Sequence, residues 1–404
     1  MKYKIYGCRV NKYYLNRWMN YLTQQGKDQE MNYIVSSCVV TDRAKSKWLK
    51  DIQKHISQGY FVYLTGCGVF DRGNLMSDEQ FYGIYPQLLP FQKSIHLLGE
   101  DAPIQDCNLM VDEGNIFTRK FLVVQNGCDS MCTYCLSVVK RGPSRDVEIS
   151  QIISQINSFV SNGGKEIILT GINLAAWGSK NTNDAGSSQF SMLLETILRD
   201  TQVSRIRLGS LGPEFLDARF FAAVSSGRFM PHFHFSIQSF SDNVLKKMGR
   251  NYDSKVLENV LTKIKNLPRP DKDLISIGSD LIVGFPGETD ADAQDTLDRV
   301  AKYKINKLHV FPFSAHTKHE TVIASKFPNQ IDQNTKKQRE AKLLELGAQI
   351  EKDFANFNVG VKHKILIETK KGDECFGWTP NYIQGKVVGD YKRGDLVDII
   401  YTNE

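Results

Sequence analysis

Strand-like and helix-like segments alternate along most of this 404-residue chain. At its start, the β-branched and aromatic runs KYKIYGC, NYIVSSC and YFVYLTGC are separated by the helix-periodic stretches NKYYLNRWMNYLTQQG and DRAKSKWLKDIQKHIS. Strands separated by helices pair in parallel through right-handed crossovers, so their carboxyl ends meet at one edge of the sheet. Open α/β sheets bind ligands at that edge. The sequence therefore predicts an N-terminal parallel α/β sheet domain over residues 1–115.

The same alternation is repeated six times over residues 118–315. The predicted strands are KFLVVQNG, KEIILTG, RIRLGS, HFHFSIQS, ISIGSDLIVGF and KLHVFPFS. Six strand–helix units are two short of a closed (β/α)8 barrel. We therefore expect an open (β/α)6 partial barrel, in a domain over residues 118–345, whose open side admits a large substrate. One of its helices, in VEISQIISQINSFVSNGG, is predicted to have an apolar face formed by Ile149, Ile152, Ile153, Ile156 and Phe159.

The last part of the chain changes character. QNTKKQREAKLLELGAQIEKDFANF predicts a charged amphipathic helix that leads out of the barrel. After it, HKILIETK, GWTPNYIQGKVV and DLVDIIYT predict short strands joined by turns. We therefore expect a small β-barrel domain over residues 358–404, of a type that often binds nucleic acids.

Composition limits where the chain can work. Its 41% hydrophobic and 24% charged residues suit a soluble globular protein of two or three domains. No apolar run approaches the roughly 18 residues of a membrane span, and the N-terminus lacks the features of a signal peptide. We therefore expect a cytoplasmic protein with no membrane partner. In that compartment its eight cysteines are expected to include metal ligands or catalytic thiols rather than disulfides.

The net charge of +6 is concentrated near the N-terminus. Residues 1–60 contain eleven Lys or Arg and four acidic residues, which leaves the rest of the chain about neutral. Tyr13, Tyr14, Trp18 and Tyr21 lie among these charges. The pattern fits a basic, aromatic face that binds RNA, and it fits equally a solvated helix face with some core aromatics.

Three cysteines mark the ends of the first three predicted strands. Cys8, Cys38 and Cys67 are each the last residue of such a strand, about 30 residues apart. Parallel pairing would bring their thiols to one edge of the sheet. Buried structural cysteines are the alternative, but three of three at the same strand end favour a shared site.

A second set of three cysteines lies in one loop. NGCDSMCTYCLSVVKRG places Cys128, Cys132 and Cys135 directly after the first predicted barrel strand and supplies no fourth cysteine. A cubane [4Fe–4S] cluster takes one thiolate on each iron, so three cysteines leave one iron open for a small molecule. A zinc site completed by the distant Cys107 or Cys375 is the alternative.

The spacing Cys-x3-Cys-x2-Cys, with Tyr134 before the last cysteine, resembles that of the radical S-adenosylmethionine (SAM) superfamily. GGKEIILTGIN, RIRLGSLGPE, HFHFSIQSFSDN, SDLIVGFPGET and HVFPFS resemble its SAM-binding segments in the expected order of strands. The resemblance implies that SAM binds to the open iron and is cleaved there by one electron. The residues it implies for SAM contact are Tyr134, Gly171, Ser210, Gln238, Gly284 and Phe311.

The whole chain resembles the methylthiotransferase family of radical SAM enzymes, which have a second [4Fe–4S] cluster in an N-terminal α/β domain and end in a small RNA-binding β domain called TRAM. GCRVN, SSCVVT and LTGC match the family's motifs for that auxiliary cluster. The resemblance implies two [4Fe–4S] clusters, the first held by Cys8, Cys38 and Cys67 and the second by Cys128, Cys132 and Cys135.

The implied reaction is methylthiolation of an adenine at C2. GCRVN and GWTPNYIQGKV are most similar to the branch that acts on N6-threonylcarbamoyladenosine (t6A) at tRNA position 37. The implied partners are a tRNA anticodon stem-loop, SAM and a one-electron reductant such as flavodoxin or ferredoxin. The alternatives are isopentenyladenosine-37 of tRNA, a ribosomal protein side chain and, outside enzymes, a zinc-containing RNA-binding protein.

The roles of some basic residues are left undecided by the sequence. Arg141 and Arg145 follow the cysteine loop, where they are expected either to hold RNA phosphates or to be solvated surface arginines. His316 stands where the family has a basic residue and a glycine, a departure that puts local substrate contacts in doubt. Three further histidines lie in strand patterns and are interpreted as structural: His232, His234 and His309.

Overall fold

The first sheet of the chain is parallel, as predicted. The structure, a computed structural model, describes residues 1–100, 118–181, 184–316 and 320–403. The N-terminal elements are β1 Lys2–Ile5, α1 Arg9–Gln24, β2 Asn32–Ser37, α2 Asp42–Ser57, β3 Phe61–Gly66, β4 Phe70–Asp71, β5 Asn74–Leu75, α3 Asp78–Ile84 and β6 Ile95–Leu97. Four strands pair in parallel in the order β1-β2-β3-β6. The three predicted strands and two predicted helices are confirmed, whereas residue 115, the predicted domain end, lies outside the described residues.

Alternation along β2 fixes how the helices cover this sheet. Tyr33 and Val35 pack with Trp48 of α2 in one core cluster. Ile34, which points to the opposite face, packs with Leu15 of α1 in another. Both faces of the sheet are thus covered, which is the usual condition of a parallel sheet, and the carboxyl edge of the strands remains for a site.

Seven further parallel strand segments follow, and they cover the six predicted strands. The elements are β7 Lys120–Val123, β8 Gln125–Asn126, α4 Ser137–Arg141, β9 Arg145–Asp146, α5 Ile149–Ser161, β10 Glu166–Thr170, α6 Phe190–Asp200, β11 Arg205–Leu208, β12 Ser210–Leu211, α7 Ala218–Val224, β13 His232–Gln238, α8 Asp242–Met248, α9 Ser254–Lys265, β14 Ser276–Val283, α10 Asp290–Tyr303 and β15 Lys307–Pro312. The strands pair in the orders β11-β10-β7 and β12-β13-β14-β15. Since Gly209 alone separates β11 from β12, the chain joins the two sheets there. The finer architecture, an open barrel, stays a prediction.

The helices of this part cover one face of the parallel sheets. Ile152, Ile156 and Phe159 of α5 are buried, and Ile149 and Ile153 pack against them from the edge of the same core. The predicted apolar face of this helix is therefore confirmed. Burial of each such side chain stabilises the fold by about 1.5–3 kcal/mol.

The C-terminal elements are α11 Gln333–Phe357, β16 Lys362–Lys371, β17 Glu374–Trp378, β18 Gln384–Val388 and β19 Leu396–Ile400. The four strands form an antiparallel sheet in the order β18-β17-β16-β19. The sheet curls so that its two edge strands approach each other. A Cβ on Gly385 of β18 would lie 2.6 Å from Ile399 Cδ1 of β19, the strand at the other edge. The predicted helix and strands are confirmed, and the TRAM identity of the sheet stays a prediction.

The aromatic side chains of α1 face inward. Trp18 is buried with Leu22 and donates its indole N–H to Gly99 O at 2.7 Å. The Tyr14 hydroxyl accepts a hydrogen bond from Asn126 Nδ2 at 3.1 Å. For Trp18 the core interpretation is correct, whereas Tyr14 is half-buried and its contact with RNA stays a prediction. No helix within the described ranges is both long and apolar enough to cross a bilayer.

Candidate active site

Cys8, Cys38 and Cys67 lie together at the carboxyl edge of the first sheet. Cys8 directly precedes α1, Cys38 follows β2, and Cys67 follows β3 at the start of a short 3-10 turn. Burial raises the pKa of the Cys38 thiol to about 12, and the nearby charges of Cys67 and Cys8 add to this rise. The three thiols are thus close enough to repel one another once ionised, as ligands of one metal centre must be.

The second set lies in the loop between β8 and α4. The Cys128 N–H donates to Gly142 O at 3.0 Å, which closes the loop. Gly127, at φ +71°, is required at its start, because a Cβ there would lie 1.9 Å from Pro143 O. Burial, together with the charges of Cys132 and Cys128, raises the pKa of Cys135 to about 11. These three thiols therefore also lie within range of one another's charge.

Backbone N–H groups in this loop point at sulfur. The Ser130 N–H donates to Cys128 Sγ at 3.4 Å, and the Ser137 N–H donates to Cys135 Sγ at 3.3 Å. Such bonds favour the thiolate, which is the form that binds metal. The loop is thereby prepared for a negatively charged, sulfur-ligated centre.

Arg250 donates to the remaining thiol of the loop. Its Nη1 lies 3.3 Å from Cys132 Sγ and 3.4 Å from the Tyr134 hydroxyl oxygen. Behind it, the buried Glu214 carboxylate lies 3.9 Å from Arg250 Nη2. Sequence reasoning missed both residues. Their positions, at the end of RIRLGSLGPE and after the helix that ends in KKM, gave no signal that they would meet the loop.

The described cysteines fit two incomplete sets better than one complete set of four. Cys375 lies in the core of the C-terminal sheet, where its thiol donates to Gly389 O at 3.5 Å. The alternative in which it completes a zinc site is therefore wrong, and Cys107 lies outside the described residues. Among the described residues each group offers three thiols, which suits a four-iron cube with one open iron.

Three predicted SAM contacts lie on or beside the strands. The Ser210 hydroxyl is 2.7 Å from Ser236 Oγ and 3.4 Å from Asp280 Oδ2. Gln238 is buried in a left-handed conformation at φ +67°, where the register between β13 and β14 shifts. Phe311 is half-buried and pairs with Ile282 across β14 and β15.

The predicted glycines make close contacts with protein. A Cβ on Gly171 would lie 2.9 Å from Gln125 Oε1, beside the cysteine loop. A Cβ on Gly284, at φ +67°, would lie 2.3 Å from Lys336 Cγ of α11. The absence of a side chain at Gly284 is therefore explained by helix packing.

Two of the strand histidines share a carboxylate. His234 Nε2 lies 3.0 Å and His309 Nδ1 3.1 Å from the same Asp280 oxygen. The two imidazoles lower the pKa of Asp280 against the effect of its burial. Reading each histidine separately in the sequence missed this cluster, because its members lie on three different strands.

Arg141 is neither a solvated surface residue nor placed to hold RNA phosphates, so both expectations made for it are wrong. Its side chain is fully buried rather than solvated, and its Nε donates to Cys67 Sγ at 3.3 Å. Its Nη1 pairs with Glu100 Oε1 at 2.5 Å, and its Nη2 donates to Asn11. Arg145 lies nearer the surface and pairs with the other Glu100 oxygen at 3.1 Å. Arg141 thus links the loop of the second cysteine set to a thiol of the first.

Further buried charges hold α2 of the N-terminal part against α4 and the segment that follows β15. Glu320 pairs with Lys45 of α2 at 3.0 Å and with the buried Lys140 of α4. His316 is also buried, at φ +51°, with its Nδ1 3.8 Å from Asp42 Oδ1. These contacts fix the edge that carries the first cysteine set over the loop that carries the second.

Comparisons with known proteins agree with this arrangement. The sequence model of the radical SAM superfamily matches residues 122–300. A protein from Rickettsia prowazekii named threonylcarbamoyladenosine tRNA methylthiotransferase MtaB is 30% identical, over 98% of this chain and 94% of its own. A protein of the same name from Thermotoga maritima is 30% identical, over 96% and 92%. A Zymomonas mobilis protein named tRNA-2-methylthio-N(6)-dimethylallyladenosine synthase is 27% identical, over 99% and 93%. The chain therefore belongs to the radical SAM methylthiotransferase family, as an enzyme of its MtaB-type branch.

Proposed function

We propose that this enzyme attaches a methylthio group to C2 of t6A at position 37 of tRNA, forming 2-methylthio-t6A. The observation that carries the proposal is the hydrogen bond from Arg141 to Cys67, because Arg141 ends the short helix that follows one cysteine loop and its bond brings that helix to a thiol of the other set. The two cysteine sets must lie close to each other if the centres they hold are to act on the same base. The names of the two 30% identical relatives support t6A as the substrate.

We further propose that each set of cysteines holds one [4Fe–4S] cluster. The SAM-binding cluster would use Cys128, Cys132 and Cys135, and the auxiliary cluster Cys8, Cys38 and Cys67. The reaction replaces the C2–H bond of an adenine with a C–S bond, and the bound clusters and SAM supply the one-electron chemistry that side-chain acids and bases lack. The protein's own groups would bind and orient: the backbone donors and arginines described above donate to the cysteine sulfurs and would offset part of the effect of burial, which favours the neutral thiol.

SAM is proposed to lie over the second set of cysteines, against the carboxyl ends of the barrel strands. The residues proposed to contact it are Tyr134, Gly171, Ser210, Gln238, Gly284 and Phe311. Tyr134 is supported by its hydroxyl, which shares Arg250 Nη1 with Cys132. Ser210 and Gln238 are supported by their places at the ends of strands that lead to the loop.

The proposed partner is the anticodon stem-loop of tRNA. Proteins read unstacked loop bases on RNA, and enzymes that modify a base take it out of its stack. An open side of a (β/α)6 partial barrel would admit such a base, and a TRAM-like C-terminal sheet would bind the RNA beside it. A one-electron reductant such as flavodoxin or ferredoxin completes the proposed set.

Mass spectrometry of tRNA nucleosides tests the substrate. Purified enzyme with SAM and a reductant should convert tRNA containing t6A to 2-methylthio-t6A and leave tRNA containing dimethylallyladenosine unchanged. The reverse preference would assign the activity that the Zymomonas mobilis relative's name states. Conversion of neither would leave a protein substrate, such as a ribosomal side chain, as the class to test.

Iron and sulfide analysis of anaerobically purified protein tests the clusters. Two cubanes predict about eight irons and eight sulfides per chain. The Cys8→Ala variant should retain about half of this iron, whereas the control Cys375→Ala should retain all of it. A colourless protein with stoichiometric zinc would refute the proposal.

A further inference from the structure

An arginine lies next to the first cysteine of the auxiliary set and points away from it. Arg9 follows Cys8 directly, and its Nη1 donates to Leu208 O at 2.9 Å, at the end of β11. Within the described ranges this is the only hydrogen bond of its side chain, and it forms no ion pair. Burial lowers the pKa of Arg9, whereas Asp280 raises that pKa without pairing with the guanidinium. A half-buried guanidinium with no carboxylate in hydrogen-bond range is costly unless a ligand completes it.

The face that Arg9 reaches is the one opposite the helices. Ile206 and Leu208 of β11 point into the helix-covered core. Arg205 and Arg207, which alternate with them, point to the other face. There both guanidinium groups pair with Glu166 at 2.6 Å. Arg9 therefore lies at a face of the sheet that already carries buried arginines, and the charges of Arg207 and Arg119 act on it.

The nearby carboxylates are already engaged. Glu166 serves both of those arginines, and Glu368 pairs with Arg119 Nε at 2.6 Å. Lys12 lies one turn after Arg9 on α1 and adds a further cation. Its Nζ lies 5.2 Å from the Phe121 ring centre. Cations therefore outnumber carboxylates among the described side chains of this face.

A tyrosine from the C-terminal sheet completes the face. The Tyr382 ring stacks on Trp378, with ring centres 4.6 Å apart, and on His232 of β13, at 4.4 Å. Its backbone takes a left-handed conformation at φ +68°, which is uncommon for a non-glycine residue and is often retained at functional sites. The stack fixes the ring beside two of the arginines, with Arg207 Cζ 5.0 Å and Arg119 Cζ 5.6 Å from its centre.

The electrostatics of this face favour an anion. Burial raises the pKa of the Tyr382 phenol, yet Arg119, Arg9 and Arg207 lower it by more, so the net shift is downward. The pKa of His232 falls well below its ordinary value through burial, with further lowering by Arg207 and Arg9. Both groups report a surplus of positive potential at one place.

We propose that Arg9, supported by Lys12 and Tyr382, forms an anion-binding subsite for the carboxylate of the substituent on N6 of the target base. This rests on the proposed function, in which that substituent is threonylcarbamoyl. Adenine C2 and C6 flank the same ring nitrogen, so a base that presents C2 beside Cys8 carries its N6 group alongside Arg9. A guanidinium fork matches a carboxylate with two parallel hydrogen bonds. A flipped base brings its N6 group inside, whereas the RNA phosphates stay on the backbone outside.

Binding of synthetic anticodon stem-loops to the cluster-loaded enzyme tests the subsite. Three RNAs differ only at position 37, which carries t6A, the carboxamide analogue of t6A, or adenosine. The unaltered enzyme should bind the t6A loop roughly 10- to 100-fold more tightly than the other two, as expected for a charge-assisted hydrogen-bonded pair. Arg9→Gln should abolish this preference while the affinity for the adenosine loop is retained, and Arg9→Lys should restore part of it.

Matched variants distinguish a failure of the proposed subsite from a failure of the proposed function. Tyr382→Phe keeps the ring stack and should lose only part of the preference, whereas Arg43→Gln, on the exposed face of α2, should leave the ratio unchanged. An equal loss for all three RNAs in Arg9→Gln would indicate a phosphate contact and overturn the carboxylate assignment. Retained preference in Arg9→Gln, in an enzyme that methylthiolates t6A, would refute the subsite alone. An enzyme that neither prefers nor modifies t6A would refute the proposed function itself.

Discussion

Replacing Glu166 with glutamine should destabilise the enzyme by about 3–5 kcal/mol at pH 7, the usual effect of breaking a buried ion pair. Glu166 is fully buried, with Arg205 and Arg207 at 2.6 Å and Arg119 at 3.9 Å. Burial, with the neighbouring charges of Arg207 and Arg119, lowers the pKa of Arg205 to about 10 even though Glu166 raises it, so this cation depends on the carboxylate. The variant keeps the shape of the side chain but leaves three guanidinium groups without their shared charge. Two of them also hold the C-terminal sheet, through backbone carbonyls at Trp378 and Thr379.

The same carboxylate gives a pH test with a defined sign. Burial raises the pKa of Glu166, but Arg205, Arg207 and Arg119 outweigh it and lower the pKa from 4.5 to about 2. A lowered pKa adds stability that is complete above about pH 4.5 and is lost as the pH falls towards 2, here about 3 kcal/mol in all. The unaltered chain should therefore lose this increment on acidification, and Glu166→Gln should lack it.

Urea unfolding followed by circular dichroism at pH 7, 5, 4 and 3 measures both effects. Glu195→Gln is the matched control, because Glu195 forms an exposed ion pair with Arg219. Exposed pairs contribute about 0–1 kcal/mol. A loss below about 1 kcal/mol in Glu166→Gln at pH 7, or parallel acid profiles for the two variants, would refute the reasoning.

Three further predictions concern the cysteines and the charges between them. Cys8→Ala should still cleave SAM reductively but form no methylthiolated nucleoside, whereas Cys132→Ala should lose both activities; equal loss of cleavage in the two would contradict separate roles. Arg141→Met should retain about half of roughly eight irons and should still cleave SAM, as measured by iron analysis and 5′-deoxyadenosine release. Full iron content in this variant would contradict a role for Arg141 in supporting the auxiliary site. Glu320→Gln leaves the buried Lys140 without its carboxylate and should lower the free energy of unfolding by about 3–5 kcal/mol in urea, whereas an unchanged midpoint would show that the pair adds nothing.

Local patterns were enough to predict most of the elements. Most strands of the three parallel sheets and helix α11 have regular periodicity, and their predicted and observed bounds agree closely. The strand β6 was missed, because its three residues, Ile95–Leu97, are too short for a period to be read. Parallel pairing followed from strand–helix alternation, which a chain can satisfy only through crossovers.

Contacts between distant segments could not be predicted in the same way. Arg141 was interpreted as a surface or phosphate-binding residue because nothing near it in the sequence reveals that Cys67 and Glu100 enclose it. Arg9 and Tyr382 lie at opposite ends of the chain and meet only when the N-terminal part and the C-terminal sheet both pack on the parallel strands between them. Such pairs depend on tertiary packing, which no local pattern contains.

The two cysteine sets share one electrostatic arrangement, although they lie in different parts of the chain. In each, one arginine donates to a cysteine sulfur at 3.3 Å: Arg141 to Cys67 and Arg250 to Cys132. In each, a carboxylate stands behind the arginine, Glu100 in the first and Glu214 in the second. Thiolates in a site of low dielectric need a compensating cation, and a cation without a second anion would be free to turn away. The carboxylate therefore acts on the sulfur indirectly, by holding the guanidinium in place, and its removal should alter the charge felt by the metal ligand as well as the packing around it.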